Sequence, residues 1–172
     1  MERDLSRYVR DIPDFPQPGV VFKDLTPLLA DVDAFRETID ALVDHAASWS
    51  VDKVVGIEAR GFTFAAVAAY RLRAGLVPVR KPGKLPHDTL SETYELEYGT
   101  DALEVHKDAI ASGESVYVID DVIATGGTAL ATCRLVETLG GHVAGVGVVV
   151  ELGFLNGRAK LTDYNVYSLM TL

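Results

Sequence analysis

The run Val143 to Val150, VAGVGVVV, holds eight residues without one polar side chain. A bilayer span takes about 20 apolar residues, so this run is far too short to be one. Nor does it alternate apolar with polar, as a strand with one wet face must. A continuous valine-rich run of this length predicts a strand buried on both faces, the kind that parallel sheets contain. Val54 to Ile57, Leu76 to Arg80, Val116 to Ile119 and Val166 to Leu169 read as further strands. Helix-length segments separate them: Phe62 to Arg73, alanine-rich and predicted to end at Gly75, and Thr128 to Leu139 with Gly140 at its C′ position. Strands alternating with helices predict βαβ units, a parallel sheet and an α/β fold, with extra pieces from both chain ends.

The N-terminal part is less regular. Leu5, Tyr8, Val9 and Ile12 follow helical spacing and predict a short amphipathic helix. Pro13, Pro16 and Pro18 then force an extended path before a short strand at Val20 to Phe22. Asp33 is predicted to cap a helix carrying Phe35, Ile39, Leu42, Val43 and Ala46 on one face. Lys81 to Ser91 reads as a long loop, and Glu92 to His106 as a hairpin turning at Gly99-Thr100.

At roughly 100–200 residues per domain, 172 residues make one domain, two at most. Its 48% apolar and 24% charged residues are those of a soluble globular protein. A net charge of −9 argues against general nucleic-acid binding, though not against a local site for a small anion. Cys133 is alone, so no disulfide forms within the chain, and a reducing, cytoplasmic setting is expected. Cys133 itself reads as a packed helix residue rather than a nucleophile. The opening MERDLSRYVR is too polar for a signal peptide or membrane anchor. His45, His87, His106 and His142 lack metal-ligand spacing, and no resident metal site is expected.

The chemistry concentrates in VYVIDDVIATGGT, Val116 to Thr128. A buried strand runs into two aspartates, a turn of small residues and a helix, at the strand end where open α/β sheets bind ligands. Gly126 and Gly127 allow close backbone approach, and N–H groups with the Thr125 and Thr128 hydroxyls suit a phosphate at a helix N-terminus. Asp120 and Asp121 would repel that phosphate but suit vicinal hydroxyls, alone or shared with a metal ion. Diol and phosphate together describe a ribose 5-phosphate. A bare Asp-Asp is as readily a solvated acidic turn; the thirteen-residue pattern is more specific. It is neither a P-loop nor a dinucleotide turn.

VIDDVIATGGT resembles the phosphoribosyl pyrophosphate (PRPP) motif of type I phosphoribosyltransferases. Five further strings resemble the adenine phosphoribosyltransferase family and occur in its order: FPQPGVVFKDLTPLL (Phe15 to Leu29), GIEARGF (Gly56 to Phe62), RKPGKLP (Arg80 to Pro86), YELEYGTDALEVHKDAI (Tyr94 to Ile110) and VVELGFLNGRAKL (Val149 to Leu161). The resemblance implies a single domain over 1–172: a five-stranded, mostly parallel sheet between helices, with a small hood from about 1–30 and 150–172. It implies the reaction of adenine with PRPP to AMP and pyrophosphate, Mg2+ held mainly through PRPP, no membrane or nucleic-acid partner, and a homodimer.

Residue by residue, the resemblance implies that Asp120 and Asp121 hold the ribose hydroxyls and that Ala124, Thr125, Gly126, Gly127 and Thr128 hold the 5-phosphate. Arg60, Arg80, Lys81 and Lys84 take pyrophosphate; without the match, such charges are usually solvated. The turn Glu58-Ala59-Arg60-Gly61 falls where the superfamily commonly has a non-proline cis peptide. Glu97 is the implied proton-transfer residue near adenine N7, followed by Tyr98, although Glu92 and Glu95 lie close by and spacing does not choose among them. Phe22 and Leu152 read as core on composition; the resemblance makes them the sandwich around adenine, with the backbone of Val21 and Lys23 reading its edge. Many relatives carry arginine at the Lys23 position, which leaves any side-chain role open. The segment from Lys81 to about Glu97 is implied to close over the reaction. Two rival readings remain: another purine phosphoribosyltransferase, for xanthine or hypoxanthine, and a non-catalytic regulator that senses PRPP.

Overall fold

The computed structural model describes residues 4–95 and 99–172. The chain forms two compact units, Met1–Ala41 and Leu42–Leu172. In the first, a 3-10 turn at Leu5–Tyr8 leads into strand β1 (Arg10–Pro13), which pairs antiparallel with β2 (Val21–Asp24). The expected helix from Leu5 to Ile12 is therefore only one turn long. Asp4 caps it by accepting the Ser6 N–H at 3.2 Å, and Ile12 then pairs with Phe22 in the ladder. Pairing to β2, with Pro13 unable to continue a helix, overrides the helical spacing. Helix α1 (Thr26–Ala30) precedes α2 (Val32–Ala46). Asp31, rather than Asp33, caps α2: its Oδ1 accepts the N–H groups of Asp33 (3.1 Å) and Ala34 (2.9 Å).

The second unit is built on five parallel strands in the order β4-β3-β7-β8-β9. These are β3 (Lys53–Ile57), β4 (Gly75–Val79), β7 (Ser115–Ile123), β8 (His142–Glu151) and β9 (Val166–Thr171), with β5 (Thr89–Glu95) and β6 (Thr100–His106) forming a separate hairpin. Helix α3 (Gly61–Leu72) follows β3, and α4 (Gly127–Thr138) follows β7. Val55, Ile57, Val118, Val146 and Val148 are buried in one core, as the continuous valine runs require. Arg73, not Gly75, ends α3: it takes the left-handed conformation at φ 56°, and its N–H reaches the carbonyls of Ala69 and Tyr70.

The strand order fixes where a ligand can enter. From β3 the chain moves outward to β4, whereas from β7 it moves the other way through β8 to β9. The direction reverses between β3 and β7, and in open α/β sheets the crevice lies beyond the carboxyl ends of the strands at such a reversal. The segments that leave β3 and β7 there are Glu58–Arg60 and Ala124–Gly126. Among the described residues no helix is long and apolar enough to cross a membrane.

Candidate active site

Strand β7 extends four residues beyond its expected end and carries both aspartates inside the ladder, with Asp120 opposite Val148. Both are buried, at 7% and 6% exposure. Asp120 Oδ1 accepts the N–H of Asp121 at 2.9 Å. Burial first, and then the charge of Asp121, push the Asp120 carboxyl well above the usual range. Asp121 Oδ2 lies 2.6 Å from Nε of Arg60, at the N-cap of α3. Gly61 lets α3 begin there, because a Cβ on it would stand 2.7 Å from Asp120 Oδ1. The β3–α3 turn, which holds a cis Glu58–Ala59 peptide, and the aspartate pair are thus in contact.

After Ile123 the chain turns through Ala124, Thr125 and Gly126 into α4. Gly126 has φ +79°, a conformation that side chains disfavour. No acidic residue sits in the first turn of α4, so no carboxylate of its own competes for the positive end of its dipole.

The expected cations gather around two carboxylates. Glu58 Oε1 pairs with Lys84 Nζ at 2.6 Å and with an Arg80 terminal nitrogen at 3.3 Å, and Oε2 accepts the Lys81 N–H at 2.9 Å. Burial works against that charge, but the bonds from Lys84, Lys81 and Arg80 outweigh it and hold the Glu58 carboxyl at about 2. The Lys81 ammonium is bonded to Asp101 and, at 2.9 Å, to the Tyr94 hydroxyl, which itself donates to Asp101 at 3.2 Å. Arg80, Lys81 and Lys84 are therefore one cluster, and Glu58 and Asp101 are members of it that pattern reading did not single out. Glu58 stands in the string GIEARGF and Asp101 in YELEYGTDALEVHKDAI, so the signal lay in motif membership only.

Glu58 carries an acid-dependent part of stability. Its folded value lies below the ordinary 4.5, so this stabilisation is present above about pH 4.5 and is lost as pH falls towards 2. Glu58→Gln is expected to lower stability at pH 7 and to flatten the further loss between pH 5 and about 2. Denaturant midpoints across that range check it; parallel curves for the two proteins would remove Glu58 from the ion cluster.

Val21, Phe22 and Lys23 lie on β2 in the first unit, where the Phe22 ring meets Phe15 edge-on at 5.1 Å and Lys23 Nζ pairs with Asp11 at 2.7 Å. Leu152 directly follows β8 in the second unit, and its N–H donates to the Ile123 carbonyl at 2.9 Å. Glu97 and Tyr98 lie outside the described residues. A cavity of about 440 Å³ between the β5–β6 hairpin and α4 is lined by Tyr94, Gly127, Arg134 and Lys160, among others. It includes Gly127 but not Arg60 or the aspartates. Among the described residues no group of three or more His, Cys, Asp or Glu could hold a metal ion.

A parallel sheet whose reversal point joins a buried carboxylate pair, a glycine turn at a helix head and a cationic cluster defines an α/β protein with its ligand crevice at that reversal. Residues 23–171 match the phosphoribosyl transferase domain, and the chain belongs to that family, among the adenine phosphoribosyltransferases. It is 58% identical over 171 residues to the adenine phosphoribosyltransferase of Salinispora arenicola, which covers 99% of this chain and 90% of the relative. The crystal structure of the Thermoanaerobacter pseudethanolicus adenine phosphoribosyltransferase superposes with a TM-score of 0.95 at 51% identity, covering 98% of both chains. That of the Saccharomyces cerevisiae enzyme, solved with D-2,5-dideoxy-2,5-imino-altritol 1,6-bisphosphate and adenine, has a TM-score of 0.90 at 41% identity, covering 97% of both.

Proposed function

We propose that this chain is an enzyme that transfers the 5-phosphoribosyl group of PRPP to N9 of adenine, releasing AMP and pyrophosphate. The observation that carries this is the aspartate pair running into the Gly126 turn at the sheet's reversal point, in a chain similar over its whole length to adenine phosphoribosyltransferases. Asp120 and Asp121 take the ribose hydroxyls, and the turn from Ala124 to Thr128 takes the 5-phosphate. Arg60, Arg80, Lys81 and Lys84 take the pyrophosphate, where a guanidinium fork matches paired phosphate oxygens.

The bond from C1′ to the pyrophosphate oxygen breaks as the bond from C1′ to N9 forms, through a centre with oxocarbenium character. The cations stabilise charge as it collects on the leaving group. Adenine attacks through the N9 lone pair with its imidazole proton at N7, where Glu97 shares that proton and takes it as the C1′–N9 bond forms, leaving the purine of AMP neutral. Closure of the segment from Lys81 to Glu97 keeps water from the charged centre. The hard carboxylate oxygens of Asp120 and Asp121 suit a Mg2+ that arrives on its substrate. Bound through PRPP, Mg2+ supplies further charge neutralisation to the leaving group.

Phe22 and Leu152 sandwich the base, and backbone groups of Val21 and Lys23 read its edge. A carbonyl placed for the adenine 6-amine would oppose the hypoxanthine 6-carbonyl, and an unpaired buried polar group costs about 1–3 kcal/mol. Adenine is therefore expected to be preferred over hypoxanthine by about ten- to a hundredfold in kcat/KM, a preference set by polar pairing rather than stacking. Phe22→Ala is expected to raise KM for adenine and to leave that preference intact. Steady-state assays of adenine, hypoxanthine and guanine with PRPP test this; comparable turnover of the three would remove the adenine assignment and keep the transferase.

Strand β9 (Val166–Thr171), expected in a hood from about 1–30 and 150–172, is instead the fifth strand of the central sheet. The single domain over 1–172, with a hood from about 1–30 and from the turns after β8, belongs to this reading. So do a homodimer and a cytoplasmic location, the latter supported by a lone, buried Cys133.

A further inference from the structure

The segment from Leu152 to Leu161, between β8 and β9, forms two 3-10 turns, Gly153–Leu155 and Gly157–Leu161. Its Gly157 presses on the turn that precedes α4. A Cβ on Gly157 would overlap the Ala124 carbonyl oxygen and stand 2.8 Å from the Gly126 nitrogen; a Cβ on Gly126 would overlap the Gly157 carbonyl oxygen. Two backbones are in direct contact, with no room for a side chain on either.

This strap is pinned on both sides of the contact. Before it, the Leu152 N–H donates to Ile123 at 2.9 Å and the Gly153 N–H to Leu172 at 3.0 Å. After it, Arg158 grips the buried Glu151 through Nε, at 3.0 and 3.1 Å to its two oxygens, and through a terminal nitrogen at 2.5 Å. Its other terminal nitrogen donates to the Val166 carbonyl at 2.7 Å, and Ser168 Oγ donates to Glu151 at 2.6 Å. A planar fork fixed at four points does not swing, so the strap is a rigid backing and the turn leans on it.

We infer that Gly157, held by Arg158, is a positioning residue that sets the phosphate turn from behind and so governs affinity for the 5-phosphate end of the substrate. The inference rests on the reading of Ala124 to Thr128 as the phosphate site. A methyl group at Gly157 must displace one of the two backbones, and the pinned strap gives way less than the turn. Leu152 keeps its own anchors to Ile123 and through Gly153, so the base contact is spared.

Calorimetric titration of ribose 5-phosphate and of adenine, separately, into the unmodified protein, Gly157→Ala, Arg158→Lys and Ala159→Ser tests it. Gly157→Ala is expected to weaken ribose 5-phosphate at least tenfold and adenine less than threefold. Arg158→Lys, which keeps the charge but loses the fork, is expected to weaken ribose 5-phosphate several-fold, and Ala159→Ser neither ligand. Unchanged ribose 5-phosphate affinity in the folded variants, or equal loss of both ligands, overturns the inference. Should Gly157→Ala not fold, Arg158→Lys decides in the same way. Unmodified protein that binds no ribose 5-phosphate would instead overturn the phosphate-site reading, and with it this inference.

Discussion

Asp120→Asn and Asp121→Asn are each expected to lower kcat/KM for PRPP by about a hundredfold or more, while both proteins stay folded. A hydrogen bond to a charged group contributes about 1.5–3 kcal/mol, and a carboxylate that accepts from sugar hydroxyls makes one or two of them. An amide keeps one acceptor and loses the charge, so binding falls without a change of shape. Asp120→Asn should also leave the protein at least as stable at neutral pH. Burial and the neighbouring Asp121 raise the Asp120 carboxyl, so its ionisation favours the unfolded chain as pH rises. The amide never ionises, and its oxygen can still accept the Asp121 N–H that Asp120 holds at 2.9 Å. Thermal unfolding beside steady-state kinetics checks both halves. Full activity with normal PRPP affinity in both variants would remove the diol role.

Arg60→Ala is expected to lower kcat about a hundred- to a thousandfold, the range for losing one preorganised group aimed at developing charge. Arg60→Lys should recover only part, because a point charge replaces a planar fork. The 2.6 Å contact of Nε with Asp121 adds a second expectation. Removing Arg60 leaves the Asp121 carboxylate without that cation, so Arg60→Ala combined with Asp121→Asn should fall short of the sum of the two losses. A strictly additive double variant, measured by kcat/KM, would separate the two residues.

The middle of the central sheet was legible because β3, β7 and β8 are buried on both faces and read as apolar, valine-rich runs, as in Val143 to Val150, whereas the edge strands β4 and β9 are only partly buried. Boundaries were less so. Asp120 and Asp121 lie beyond the expected strand end at Ile119, yet they continue the β7 ladder, since the end of a strand can hold polar residues that its core cannot. Leu5 to Ile12 has helical spacing, but β1 is decided by its pairing with β2, a partner that lies beyond the window of any local pattern. Arg73 in the left-handed region gave no signal at all, because the residue type that usually marks that conformation is glycine. Within the candidate site, Arg60 and Asp121 each stood out in its own motif, and nothing in the sequence states that they touch. Glu58, Asp101 and Gly157 were visible only as members of matched strings. What each does depends on a neighbour at least 20 residues away: Lys84 and Arg80, Lys81, and the turn at Gly126.

On the proposed reading, Glu58 and Asp101 already pair the cations that would receive the polyphosphate's negative charge. The cations of this cluster do not wait in a cloud of mobile counterions; they are already neutralised from within the chain. Uptake of substrate is then an ion exchange, one anion replacing another, and few small ions are released to solvent. Ionic strength acts chiefly through exposed, unpaired charges. A strongly acidic protein can in this way keep a polyanion site whose affinity varies little with salt.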